Sequence, residues 1–326
     1  MKTIIVLGLM NSGSGAVHDY LSSRSDFESP FGTNEFKLCV DPMGLDNLYV
    51  NCYKNFSFFN PSNAINDFLD YVEKLQNYVV YESYGKAKKL FNQKLETPSL
   101  EFVNKITEIL YYGNPEFSNF KISNVKSLYL KFKKKRYNFF KVRIPVKEKI
   151  FLKESKKYIK KIILNNINKK KLHPNKNIVL NQAANIFNPI QSSQYFEKRK
   201  IVIVTRDPRD MFSSMKKRKS KGPPSYNVKL FIKWYKKCFG NISFKKKLNN
   251  KLILLVKYED FINNFNKENK KICKFLSISS NYKLKKNFYP KFNLEDSRKN
   301  LYKSKKFLSN HENLLIKKHL GKFLQW

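Results

Sequence analysis

The sequence predicts an α/β fold in which a central parallel sheet is flanked by helices. Three observations favour this class. Several segments are nearly continuous apolar runs rich in Ile and Val, which is typical of strands covered on both faces. Amphipathic helical patterns separate these runs along the chain. A glycine-rich turn joins the first run to the first helical pattern. We therefore expect three layers, with the sheet between two layers of helices.

Five segments are predicted to form the strands of this sheet. The clearest are the apolar runs IIVLGL, KIVIVT and KLILLVKY, because nearly every side chain in them can be buried. The remaining two, NIVLN and KLCV, are shorter. In chain order the predicted strands are Thr3–Leu9, Lys37–Val40, Asn177–Asn181, Lys200–Thr205 and Lys251–Tyr258.

The region 53–176 differs from the rest of the chain. It contains no convincing long strand and is mostly rich in Lys, Asn and Tyr. Thr97-Pro98 predicts a helix start, and the apolar residues Phe102, Val103, Ile106 and Ile109 follow at helical spacing. We therefore expect a single domain over 1–326 with a helical insertion at 53–176.

The composition indicates a folded protein with a strong positive charge. Apolar residues make up 41% of the chain and aromatic residues 15%, which excludes general disorder. The formal net charge is +40, which favours an anionic partner. The Lys residues are dispersed along the chain rather than gathered in one tail. A solvated surface without a specific partner therefore explains the charge equally well.

The cysteines and the apolar runs bear on the compartment. Cys39, Cys52, Cys238 and Cys273 form no CxxC pair, so we expect no metal site and no disulfide framework, and we expect a reducing cytoplasm. The N-terminal run is short and breaks at Gly8, so we interpret it as a strand rather than a signal peptide. No later run approaches the length of a membrane span, which leaves peripheral membrane contact open.

The first loop has the features of a phosphate cradle. Gly8 and Gly13 are separated by four residues, as in a P-loop, and the loop leads from a strand into a helix. Glycines let the backbone approach an anion, and the free amides of a helix N-terminus point at it. Ser14 and Gly15 stand where a nucleoside-triphosphatase loop has Lys and Ser or Thr. The fold is therefore P-loop-like; a tight turn with no ligand is the alternative.

A second motif follows the strand KIVIVT. Arg206 lies at the end of this strand and Ser214 comes eight residues later on a predicted helix. The guanidinium supplies a rigid fork of donors and the serine a compact hydroxyl, so the two can converge on one phosphate. A simple strand–turn–helix joint started by Asp207-Pro208 is the alternative interpretation.

These motifs together resemble the PAPS-dependent sulfotransferase family. The first loop resembles that family's 5′-phosphosulfate loop, and Arg206 with Ser214 matches its 3′-phosphate motif. The segments Lys257–Phe261 and Ile272–Ile278 are similar to the family's YEDL and ICxFLGI segments. Ser297-Arg298-Lys299-Asn300 resembles the C-terminal basic stretch that closes over the 3′-phosphate. The insertion at 53–176 matches no part of the family that we can name.

The resemblance implies a PAPS co-substrate, a PAP product and no metal. It assigns the 5′-phosphosulfate to Asn11, Ser12, Gly13, Ser14 and Gly15, and the 3′-phosphate to the second motif, with Arg298 and Lys299 closing over it. Many members have Lys or Arg where this chain has Asn11, so here Asn11, Ser12 and backbone amides, or a lysine from elsewhere, would assist the leaving phosphate.

The base and the acceptor are less sharply indicated. Glu35 is our first candidate for the general base and Asp41 the second, because they flank the short predicted strand near the loop. Asn181-Gln182 follow another strand at the edge where α/β ligands bind. By analogy with other members, the acceptor would be a glycan or glycolipid. An acidic one would suit the positive charge of the chain, and the insertion would bind it.

Two other function classes stay open. A small-molecule kinase would share the glycine loop, although the loop has no lysine and no magnesium-binding acid follows a strand clearly. A nucleic-acid-binding protein would fit the interleaved basic and aromatic residues at Lys131–Tyr137. No recognised nucleic-acid module appears in the sequence, so we expect no nucleic-acid partner.

Overall fold

A computed structural model of the chain describes residues 2–81, 87–113, 140–167, 176–219, 222–240, 251–285 and 292–325. The chain forms two compact units: Met1–Lys37 with Ile167–Trp326, and Leu38–Asn166. In chain order the strands are β1 (Thr3–Gly8), β2 (Phe27–Glu28), β3 (Val79–Tyr81), β4 (Ala87–Lys89), β5 (Thr107–Gly113), β6 (Phe140–Pro145), β7 (Asn177–Asn181), β8 (Arg199–Thr205) and β9 (Ile253–Lys257).

The helices lie between these strands and after the last of them. They are α1 (Ser14–Ser23), α2 (Leu45–Tyr49), α3 (Asn60–Gln76), α4 (Glu96–Ile106), α5 (Glu148–Asn166), α6 (Pro189–Ser192), α7 (Pro208–Lys217), α8 (Val228–Gly240), α9 (Tyr258–Asn263), α10 (Phe265–Leu276), α11 (Leu294–Arg298), α12 (Ser304–Phe307) and α13 (Asn310–Leu320). None of the helices among the described residues combines the length and the apolar character needed to cross a bilayer.

The first unit is built on a five-stranded parallel sheet. The strand order is β2-β7-β1-β8-β9, so β1 lies at the centre. Ile5 of β1 is level with Leu180 of β7 and with Ile201 of β8. The carboxyl ends of these strands therefore meet at one edge, which is where ligands bind in open α/β sheets.

Both faces of the sheet are covered. Ile4 and Val6 of β1 are fully buried and pack in one cluster with α1, α9 and α10. Ile5 and Leu7 point to the other face, because side chains alternate along a strand, and they are also fully buried. The predicted α/β fold, with a central parallel sheet flanked by helices, is therefore confirmed.

The predicted strand Lys37–Val40 is wrong. Residues Lys37–Cys39 form a turn of 3₁₀-helix, and the edge strand is the two-residue β2 instead. Pairing at Glu35 stops after a single bridge to Asn181. A short apolar run is ambiguous because burial of side chains such as Leu38 does not itself require a strand.

Among its described residues, the second unit contains four α-helices and two antiparallel strand pairs, β3–β4 and β5–β6. Its core is aromatic: Phe102 stacks on Tyr158 with ring centroids 4.7 Å apart, and Phe68 meets both rings edge-on. The expectation that 53–176 holds no long strand is wrong, since β5 has seven residues. Ile109 continues the helical spacing of α4, but its side chain is 54% exposed on β5.

All four cysteines lie among the described residues and carry free thiols. Cys39, Cys52 and Cys273 are buried. Burial raises the pKa of the Cys52 thiol to about 12, so this cysteine stays protonated and behaves as a small apolar side chain.

Candidate functional site

The loop between β1 and α1 folds tightly over Gly8. A Cβ atom at Gly8 would lie 2.1 Å from the Ser12 Oγ and 2.8 Å from the Ser14 Cβ, so no larger residue fits there. Gly13 caps α1 with a φ of 87°, a left-handed conformation that glycine adopts without steric cost. The two glycines therefore let the chain reverse and present the start of α1 at the sheet edge.

Free amides collect at this helix start. Among the described residues, no group accepts a hydrogen bond from the backbone N–H of Gly13, Ser14 or Gly15. Such amides and the positive end of the helix dipole form an anion site. The Ser12 N–H donates to the Leu9 carbonyl at 2.9 Å, and the Ser12 hydroxyl is buried without a partner among the described residues.

Gly13 and Gly15 provide a matched pair of substitutions. A Cβ at Gly13 would lie 2.2 Å from the Tyr258 ring, whereas nothing lies within 4 Å of a Cβ at Gly15. We expect G13A to lower the free energy of unfolding by at least about 1–2 kcal/mol, the cost of the left-handed backbone alone. G15A should be neutral or slightly stabilising, because Ala favours a helix. Denaturant unfolding checks this; equal loss in both variants would contradict the loop geometry.

Gln182, just beyond β7, extends the sheet toward the loop. Its side-chain amide donates to the Gly8 carbonyl at 2.9 Å and accepts from the Gly8 N–H at 3.3 Å. Gln182 also adopts a positive φ of 50°. This residue fixes the end of β1, and the sequence placed it at the correct edge.

Arg206, at the end of β8, lies at the centre of the second motif. Its guanidinium donates to the Ser214 hydroxyl at 3.2 Å, to the Asn11 carbonyl at 3.1 Å and to the Asn300 carbonyl. All three acceptors are neutral, although Arg206 is only 4% exposed, and its Nε has no hydrogen-bond partner among the described residues. A buried cation with neutral acceptors is a favourable partner for an anion.

The ring of Tyr258 supports both motifs. Its face lies 5.1 Å from the Arg206 guanidinium carbon, a cation–π distance, and the same ring contacts the position of Gly13. The Tyr258 hydroxyl donates to the Ser297 carbonyl at 3.1 Å. Burial raises the pKa of Tyr258, so the phenol stays protonated and acts as a donor.

The acidic residues of the second motif anchor the C-terminal part of the chain. Asp210 is fully buried and accepts from the N–H groups of Tyr302 and Ser304 at 2.8 and 2.9 Å. Asp207 caps α7 and also accepts from the Gln325 N–H at 2.9 Å. These contacts hold the segment that carries Asn300, and so they bring its carbonyl to Arg206.

Glu259 lies beneath this turn. Its Oε1 accepts from the Asp207 N–H at 2.9 Å, while its Oε2 has no partner among the described residues. Burial raises the pKa of Glu259 to about 7, against the opposing effect of backbone hydrogen bonds and Arg206. Through this hydrogen bond Glu259 holds the start of the turn that leads into α7.

The two motifs line one cavity of about 550 Å³ at the carboxyl edge of the sheet, within the size range of small-ligand sites. It is lined by Leu9, Met10, Asn11, Gly13, Ser14, Gly15, Ala16, Asp19, Glu35, Asn181, Gln182, Arg206, Ser214, Arg218, Tyr258, Phe292, Asn293, Asp296, Ser297 and Asn300.

The predicted site residues are brought together only in part. Glu35 lines the cavity, with Lys37 at 3.6 Å from its carboxylate. Asp41 belongs to the second unit, where it accepts from the Tyr71 hydroxyl at 2.8 Å. Arg298 and Lys299 are exposed and absent from the cavity lining, and Lys299 pairs with Asp296 at 2.8 Å. Here the C-terminal stretch contributes backbone and uncharged groups to the cavity instead.

Sequence reasoning missed Arg218. It follows Ser214 by four residues, which places both on one face of a helix, and it lines the cavity and donates to the Asn11 Oδ1 at 3.2 Å. The spacing of Arg206, Ser214 and Arg218 in the sequence could have indicated that Arg218 belongs to the same site. The stretch Lys131–Tyr137, which favoured the nucleic-acid alternative, lies outside the described residues.

One family model matches most of the chain. The model described as the sulfotransferase family matches residues 3–281. Similar solved structures include the sulfotransferase domain from the Synechococcus PCC 7002 olefin synthase (13% identity, 86% of this chain and 73% of that one, TM-score 0.39). Others are the sulfotransferase domain from the curacin biosynthetic pathway (15%, 98% and 97%, 0.44) and mouse sulfotransferase SULT7A1 complexed with PAP (18%, 49% and 70%, 0.32). None of the curated proteins matches the chain.

Proposed function

The chain belongs to the sulfotransferase family, and on that basis we propose that it transfers a sulfuryl group from PAPS to a hydroxyl or amine of an acceptor. PAPS carries two separate anionic groups, a 5′-phosphosulfate and a 3′-phosphate. The observation that carries the proposal is one cavity with two anion-binding features. These are the free amides of Gly13, Ser14 and Gly15 on one side and Arg206 with Ser214 on the other.

The chain's own groups suit the steps of this transfer. The amides at the start of α1 would hold the 5′-phosphosulfate, and the neutral hydrogen-bond acceptors of Arg206 leave its positive charge available for the 3′-phosphate. Glu35, on the cavity wall, would accept the proton of the attacking acceptor. Catalysis by this arrangement is mainly positioning and electrostatic stabilisation.

The class of acceptor is proposed from the net charge of the chain. A net charge of +40 attracts anionic molecules, and an acidic glycan or glycolipid fits that charge. The insertion is the proposed acceptor-binding part. It presents Ile109, Leu110, Tyr111 and Tyr112, all at least 45% exposed, along β5. The four free thiols support a reducing, cytoplasmic setting.

Nucleotide-dependent stabilisation tests the donor. We expect PAP at about a hundred times its dissociation constant to add about 2.7 kcal/mol, which raises Tm by a few degrees for a chain of this size. ATP with magnesium should give a much smaller shift. Moderate salt suppresses nonspecific anion binding to the basic surface.

Two results would contradict the proposal. Stabilisation by ATP with magnesium but not by PAP would replace it with the kinase alternative. No shift with either nucleotide would mean that the cavity holds no adenine nucleotide. A PAP shift would leave the acceptor to be found by transfer of labelled sulfate from PAPS to candidate glycans.

A further inference from the structure

Arg218 is a cation in the cavity lining that belongs to neither of the two proposed PAPS-binding motifs. Only two Lys or Arg side chains occur in the cavity lining among the described residues, Arg206 and Arg218. The loop from Leu9 to Gly15 contains no Lys or Arg at all. Positive charge at the loop must therefore come from outside it.

The two arginines donate hydrogen bonds to different atoms of Asn11. Arg206 donates to the backbone carbonyl of Asn11 at 3.1 Å, and Arg218 donates to its side-chain oxygen at 3.2 Å. Asn11 adopts a positive φ of 61°, which is uncommon for residues other than glycine. Its conformation turns the side-chain oxygen to Arg218 while the carbonyl faces Arg206.

The two arginine side chains differ in how many of their other N–H groups are already hydrogen-bonded. Arg206 also binds Ser214 and Asn300, which directs it to the side of the cavity formed by α7 and the C-terminal segment. The Arg218 side chain makes no hydrogen bond among the described residues other than the one to Asn11. Its further N–H groups are therefore available to a ligand held at the β1–α1 loop.

Sulfuryl transfer develops charge at that loop. The acceptor's lone pair forms a new bond to sulfur while the bond from sulfur to the 5′-phosphate oxygen breaks. The bonding electrons pass to that oxygen, and the acceptor's proton passes to the base. A hydrogen-bond donor that points at this oxygen stabilises the transition state more than it stabilises the bound substrate.

We propose that Arg218 is a catalytic residue that neutralises the charge developing on the 5′-phosphate of the leaving nucleotide, held in place by the side chain of Asn11. This inference rests on the proposed function. It assigns Arg218 to the 5′-phosphate and Arg206 to the 3′-phosphate, so the two arginines serve different ends of one nucleotide.

Binding of two simple nucleotides separates these roles. R218A should weaken adenosine 5′-phosphate about 10- to 100-fold, the effect of losing one charged hydrogen bond, and change adenosine 3′-phosphate less than twofold. PAP release from PAPS, with water as the acceptor, should slow about 100- to 1,000-fold with little change in KM for PAPS. R218K should retain part of both effects, because it keeps the charge without the guanidinium fork.

The matched control is K217A, on the neighbouring residue of α7. Lys217 is exposed and absent from the cavity lining, so K217A should bind both nucleotides as the wild type does. R218A that weakens adenosine 3′-phosphate as much as the 5′-nucleotide, or weakens neither, would overturn the inference and leave the proposed donor intact. If the wild-type chain binds neither nucleotide nor PAP, the proposed function fails, and the inference fails with it.

Discussion

Replacing Arg206 by alanine is expected to remove the stabilisation by PAP. Its guanidinium is nearly fully buried, its hydrogen-bond acceptors are neutral, and its Nε has no partner among the described residues. Losing one member of a buried, hydrogen-bonded charge pair costs about 2–5 kcal/mol of binding, so the dissociation constant for PAP should rise about 30- to 5,000-fold. Calorimetric titration of PAP, with Tm measured in parallel, checks this.

A loss of affinity must be separated from a loss of fold and from a change in net charge. K216A removes one positive charge from the same helix, where Lys216 pairs with Glu312 at 2.8 Å, and it should bind PAP normally. S214A, which removes a single hydroxyl, should lose about 1 kcal/mol. PAP affinity that survives R206A with the ligand-free Tm unchanged would place the 3′-phosphate elsewhere.

The strands of the sheet could be predicted where burial on both faces left a continuous apolar run. β1, β7, β8 and β9 all lie within the predicted segments to within one or two residues. β2 could not be predicted, because two residues leave no periodic pattern and its place depends on pairing with β7. The β5–β6 pair was missed because β5 continues the apolar spacing of α4 while exposing most of its side chains.

The site shows a similar division between local and distant contacts. Arg206 and Ser214 meet because eight residues of strand end, turn and helix bring them together, and that spacing is visible in the sequence. Asn300 enters through a backbone carbonyl, which any residue type would supply, so no sequence signal marks it. Arg298 and Lys299 were predicted from the resemblance to the family's basic stretch, yet this part of the chain is held by the buried carboxylate of Asp210, which the sequence did not mark.

Glu35 should control the rate of transfer without affecting donor binding. It lines the same cavity as the β1–α1 loop, and its carboxylate is 48% exposed beside Lys37, so it is open to an acceptor. Removing a general base lowers kcat about 10²- to 10⁴-fold. E35Q keeps the size of the side chain but cannot accept the proton, so we expect kcat to fall by this factor while the Tm shift with PAP stays as in the wild type.

The cavity itself supplies the controls, because Asp19 and Asp296 line it as well. Asp296 is engaged with Lys299 and Asp19 lies 3.3 Å from His18, so D296N and D19N should lower kcat far less than E35Q. D41N tests the other sequence-predicted base, whose carboxylate accepts from Tyr71. If D41N or D19N abolishes transfer and E35Q does not, the base is not Glu35. If all four variants keep wild-type kcat, the acceptor's proton leaves without a carboxylate base, and catalysis would rest on the charges that Arg206 and Arg218 place around the nucleotide.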